Sequence, residues 1–186
     1  MPVLSAPAPR RPSPGFTLIE LAIVLAIVAI LLRVAAPGMS RTVAARALAA
    51  QSSEFMAALR FARATAMQRG MVVTICASAP GGPPLACQGP RAADWRSGWI
   101  VFADRDRRGM PDASTPLLRI QQALQRSGGV AGTRGSISFT AGGFSTDASS
   151  HFLFSPPEAA ADAPPAVMVC VSKQGRPRLA GTGACD

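Results

Sequence analysis

From Phe16 to Leu32 the chain is apolar at every position except Thr17 and Glu20, and Arg33 carries the next charge. The pattern predicts a helix over residues 16–36, long enough to cross a bilayer. Pro37-Gly38 is expected to break or kink it. Beyond that point the pattern changes period. Ala44, Leu48, Phe55, Leu59, Ala62 and Ala66 recur at helical spacing. They predict an amphipathic helix with one apolar face turned to a sheet. Arg46, Arg60 and Arg63 fall on its other sides and read as a solvated face. Gly70 ends it as a C-cap. Short β-branched and aromatic runs follow, and they predict strands over residues 71–76, 98–102, 117–124, 136–140, 149–154, 167–171 and 176–180. The last two form a hairpin. Residues 79–93 and 155–165 are rich in Pro with Gly or Ala and read as loops. One long helix followed by strands is an α+β order.

A carboxylate at position 20 of this profile needs an explanation, because a charge at membrane depth is costly, about 2.5–3.5 kcal/mol on insertion scales. A signal anchor tolerating one Glu is the plain reading. The alternative is that Glu20 acquires a partner later. Gly15-Phe16-Thr17-Leu18-Ile19-Glu20 followed by the apolar run resembles the prepilin signature of type IV pilins and type II secretion pseudopilins. The resemblance implies cleavage by a prepilin peptidase between Gly15 and Phe16, N-methylation of Phe16, and assembly into a filament with Glu20 as the conserved carboxylate. Cleavage would create an ammonium on Phe16, one helical turn from Glu20, so the two charges compensate within a chain or set register between neighbours. The cut precedes the apolar run, unlike a secretory signal, so the helix is retained. Residues 1–14, Pro-rich with Arg10 and Arg11, are expected to stay cytoplasmic and place the rest of the chain outside.

Further along, Cys76, Cys87, Asp94-Trp95, Gly98-Trp99-Ile100-Val101-Phe102-Ala103-Asp104 and Leu117-Leu118-Arg119 resemble the GspH/FimT group of minor pilins. That resemblance implies an α+β, type IV pilin-like fold, with a long N-terminal helix packed on an antiparallel β-sheet head. Four segments are expected: a cleaved leader at 1–15, a transmembrane or filament-core helix at 16–36, the amphipathic half of the stem at 37–70, and a β-rich head at 71–186. The implied location is the inner membrane with the head in the periplasm, then a pilus or pseudopilus. The implied partners are other pilins or pseudopilins, the prepilin peptidase and the inner-membrane assembly platform.

In an exported chain the four Cys are expected to be oxidised. Local pairing, Cys76–Cys87 and Cys170–Cys185, is the natural arrangement among the three connectivities allowed. The spacing lacks the close Cys pairs of a zinc site. Asp104, Asp106, Gly109 and Asp112 superficially resemble a calcium loop, but Arg108 takes a ligand place and Thr115 stands where a Glu is needed. A turn stabilised by Asp-to-backbone hydrogen bonds fits better, and neither metal nor cofactor is expected. The sole His, His151, lies in no catalytic motif, so enzymatic activity is not expected.

Net charge is +9, and every basic residue but Lys173 is Arg. An anionic partner is one reading and ordinary solubility the other. Gly175-Arg176-Pro177-Arg178 sharpens the first: it resembles the GRxR motif of FimT-like pilins, which bind DNA in natural transformation. Gly175 permits a tight turn. Arg176 and Arg178 are two apart in an extended segment and leave on one face. Pro177 suggests an unpaired edge. With Lys173 they form a candidate grip on the phosphates of double-stranded DNA, without sequence preference. The same residues would also serve as a charged hairpin that blunts an exposed edge. A minor pseudopilin at the tip of a type II secretion pseudopilus is the competing function.

Overall fold

The structure, a computed structural model, describes residues 15–80, 86–89, 91, 93–125, 127–147, 149–157, 163–180 and 185, with residues 34–38 described by their backbone. The leader before Gly15, with Arg10 and Arg11, lies outside the described residues, as do parts of the two predicted loops. The chain divides into two compact units, Met1–Gly38 and Met39–Asp186.

A single helix, α1, covers Leu18–Arg69. The helix runs on through Pro37-Gly38, so of the expected break or kink the break is absent. In the first unit the large apolar side chains that are described are exposed, from Phe16 at 89% to Val28 at 42%. Among the described residues no helix is long and apolar enough to cross a membrane.

In the second unit the apolar face of α1 is the centre of the core. Leu48, Phe55, Leu59, Ala62 and Ala66 are buried, as their spacing predicts, and Ala44 is half-buried. The helix ends as expected at Gly70, which is left-handed at φ 62°. The Met71 N–H then donates to the Ala66 carbonyl at 3.3 Å, the longer bond of a Schellman cap.

The strands, in order, are β1 (Val73–Ala77), β2 (Ala93–Asp94), β3 (Trp99–Ala103), β4 (Leu117–Gln121), β5 (Gly129–Gly132), β6 (Ser136–Phe139), β7 (Ser150–Ser155), β8 (Val167–Val171) and β9 (Pro177–Ala180). A short 3₁₀ turn, Trp95–Ser97, joins β2 to β3. All pairings between strands are antiparallel. They form two sheets rather than one, in the orders β4-β3-β1-β6 and β2-β5-β7-β8-β9. Both sheets turn their inner faces to α1. Phe55 is the hub, with Trp95, Trp99, Phe152 and Phe154 around it at ring-centroid distances of 4.8–5.6 Å.

β1 and β3 are buried on both faces, which is why they read as continuous apolar runs. Val73, Ile75, Trp99 and Val101 face the helix, while Cys76, Ile100 and Phe102 form a second cluster with Cys87. Disulfides join Cys76 to Cys87 and Cys170 to Cys185, the local pairing.

Candidate nucleic-acid interface

The turn between β8 and β9 is built from its backbone. The Gly175 N–H donates to the Ser172 carbonyl at 2.8 Å, and the Ser172 N–H donates to the Arg176 carbonyl at 3.2 Å. Gly175 has φ 72°, a conformation that costs other residues steric energy. Its α-carbon also lies against the neighbouring loop: a Cβ there would stand 2.2 Å from the Gly143 carbonyl oxygen. β9 then runs along the outer edge of the five-stranded sheet, with Pro177 opposite Val171 and Arg178 opposite Cys170. Pro177 supplies no N–H, as suits a strand end at an edge. The bridge from Cys170 to Cys185 braces this hairpin, and the Cys185 sulfur also reaches the Met168 sulfur at 3.6 Å.

Lys173, Arg176 and Arg178 are all exposed. Among the described residues neither Lys173 nor Arg176 has an ion-pair partner. Asp147, two residues beyond the Ser145 that contacts the hairpin, pairs with Arg134 at 3.3 Å.

The structure adds residues that the linear pattern did not associate with this turn. Residues 140–147 carry the chain from the four-stranded sheet to the five-stranded one. This loop is stitched to both sheets: Ser145 bridges to Phe139, and its N–H donates to the Lys173 carbonyl at 3.0 Å. Arg63, expected on a solvated helix face, instead donates through Nε to the Gly143 carbonyl at 2.9 Å. Arg46 and Arg60 are exposed as expected. Phe144, one residue from the Gly143–Gly175 contact, is 56% exposed. Pattern reading missed Phe144 and Arg63 because the relevant proximity is a loop-to-hairpin contact between sheets.

Elsewhere the candidate residues behave as scaffolding. Asp104 is buried and saturated, accepting from the Thr74 hydroxyl and the Arg108 and Gly109 N–H groups, each at 2.9 Å. Asp112 accepts from the Ser114 and Thr115 hydroxyls and from the Ser114 N–H. Those hydrogen bonds, the Ser114 hydroxyl foremost, hold its carboxyl below the usual carboxylate range. Both aspartates are thus turn-forming groups. His151 is exposed on β7, and its N–H donates to the Thr133 hydroxyl at 3.1 Å.

At the other end, Gly15 and Phe16 are exposed ahead of α1. Thr17 caps the helix, accepting from the Glu20 N–H at 3.3 Å. Glu20 therefore stands in the first turn, where the helix dipole favours a carboxylate.

A family profile described as type II transport protein GspH matches residues 51–175. A second, the prokaryotic N-terminal methylation motif, matches residues 10–32. Among curated proteins nothing matches the chain. Two crystal structures of the Pseudomonas aeruginosa type IV minor pilin FimU are similar, each at 18% identity over 72% of this chain. One aligns over 92% of its own length with a TM-score of 0.49. The other aligns over 87% with a TM-score of 0.51 and shares the helix-on-sheet fold described above.

Proposed function

The chain belongs to the GspH family and is a pilin-like subunit carrying the N-terminal methylation motif, and from this premise we propose that it is a minor type IV pilin whose head binds DNA. In this reading prepilin peptidase removes residues 1–15, Phe16 is methylated, and residues 16–36 anchor the subunit in the inner membrane before it enters the filament. The exposed apolar side chains from Leu18 to Leu32 support that reading, since so long an apolar surface is stable only when lipid or neighbouring helices cover it. Glu20 then meets the new ammonium of Phe16, its own or a neighbour's. Residues 37–70 complete the stem and 71–186 the head.

The observation that carries the DNA reading is the β8–β9 hairpin. It is a disulfide-braced edge that holds Lys173, Arg176 and Arg178 exposed, with Gly175 locking the turn against residue 143. Arg forks on a stiff edge suit phosphate oxygens. The described part of the hairpin has no helix to enter a groove, so contact is with the backbone of the duplex and independent of sequence. The function served is DNA uptake in natural transformation.

A second reading has its own support. The matching profile is described by type II transport, so the subunit is alternatively a minor pseudopilin at the tip of a secretion pseudopilus. A strain deleted for this subunit separates the two. The DNA reading predicts loss of transformation with exoprotein secretion intact. Normal transformation with failed secretion would assign the subunit to the secretion machine.

A further inference from the structure

We infer that Phe144 is a base-stacking platform beside the basic hairpin, so that the head takes single-stranded nucleic acid, bases included, rather than duplex backbone alone. The inference rests on the DNA reading of the hairpin and adds the ligand's strandedness to it.

Phe144 is, among the described residues of the Met39–Asp186 unit, the one phenylalanine or tryptophan left exposed. The other phenylalanines and both tryptophans there are buried or half-buried. Its position is held by the backbone. The Thr140 N–H donates to the Phe144 carbonyl at 2.9 Å, the Gly143 N–H to the Thr140 carbonyl at 2.8 Å, and the Phe144 N–H to the Thr140 hydroxyl at 3.3 Å. An edge of the ring rests over Gly142, where a Cβ would stand 3.1 Å away. A ring fixed this way loses little freedom on binding.

The basic hairpin and Arg63 meet the same loop. The Gly143 carbonyl accepts from Arg63 and touches the α-carbon of Gly175, so Phe144 and Arg176 each lie one residue from a shared contact. Lys173 is tied to the adjoining Ser145. An exposed apolar ring on a loop tied to Arg63 and to the backbone of the Lys173–Arg176 turn has the composition of a single-strand site: cations track the phosphates, and the ring takes the π-face of an unpaired base of any identity. A duplex keeps its bases stacked inside and offers the ring nothing comparable.

The test uses the full chain in nonionic detergent micelles. Three labelled ligands of equal length are titrated at one salt concentration: an oligothymidylate, a mixed-sequence duplex and an abasic oligomer. Phe144→Ala should weaken oligothymidylate binding about tenfold while changing duplex and abasic binding less than about twofold. Phe144→Leu, which keeps apolar area, should behave like Ala, and Phe144→Trp should restore binding. Equal losses on all three ligands would overturn the inference. So would unchanged binding to all three, including the case in which only filament incorporation falls, which would make Phe144 a subunit contact. Failure of the wild-type chain to bind any of the three would instead overturn the hairpin reading beneath it.

Discussion

At residue scale, Gly175 is the most constrained position of the candidate site. Two requirements meet there: a left-handed backbone and contact with the Gly143 carbonyl. Gly175→Ala must relieve a clash with backbone, which cannot rotate away as a side-chain tip would. The expected cost is about 2 kcal/mol or more. Thermal unfolding measures it, with the exposed Gln174→Ala as a control expected to stay within about 0.5 kcal/mol. The same substitution displaces the carbonyl that Arg63 holds, so DNA affinity should fall with stability. The need for Gly175 was legible in the sequence as turn chemistry, but its second cause was not, because residue 143 comes from a different strand connection.

At the scale of elements, α1 and the sheets depend on each other through one ring. Phe55 contacts Trp95, Trp99, Phe152 and Phe154. These residues come from the 3₁₀ turn and from both sheets. Phe55→Ala is therefore expected to cost about 3–5 kcal/mol and to lower the unfolding temperature measured by circular dichroism. The exposed Met67→Ala, on the same helix, should cost far less.

The helix face was legible because burial followed its 3.6-residue period. β1 and β3 were legible because both of their faces are covered. β5 was not: in Gly129-Val130-Ala131-Gly132 a single β-branched residue stands between strand-poor Gly and Ala, and its extended form comes with pairing to β7. β2 spans only Ala93–Asp94 and exists through its pairing with β5. The division into two sheets was hidden for a related reason. Local sequence marks strands, whereas the partner of each strand is chosen by packing around Phe55. β4 stops at Gln121, short of the predicted Leu124, whose N–H instead donates to the Arg96 carbonyl.

At the scale of the whole molecule, the two ends carry different duties. In the proposed function the segment from Gly15 to Glu20 serves processing and assembly, and the hairpin from Lys173 to Arg178 sets what the head touches. Glu20→Ala should leave leader removal and head folding unchanged and strongly reduce incorporation into filaments. Intact mass should still report a chain beginning at methylated Phe16, while sheared-filament fractions lose the subunit. The N-terminal duty could be read from a short motif, since it depends on local residue order. The proposed DNA surface could be read only in part, because the motif marks the two arginines, whereas Arg63 and the loop that carries Phe144 meet the hairpin only through the fold.

In the proposed function this head grips nucleic-acid phosphates through Arg176 and Arg178. The direct measurement is titration of duplex DNA with the processed full chain in detergent over a series of salt concentrations. The wild-type affinity should fall steeply with salt. Arg176→Ala with Arg178→Ala should weaken binding at least tenfold and reduce the salt slope by about 2, one for each lost phosphate contact. Equal affinity and equal slope for the wild type and the double variant would contradict the account.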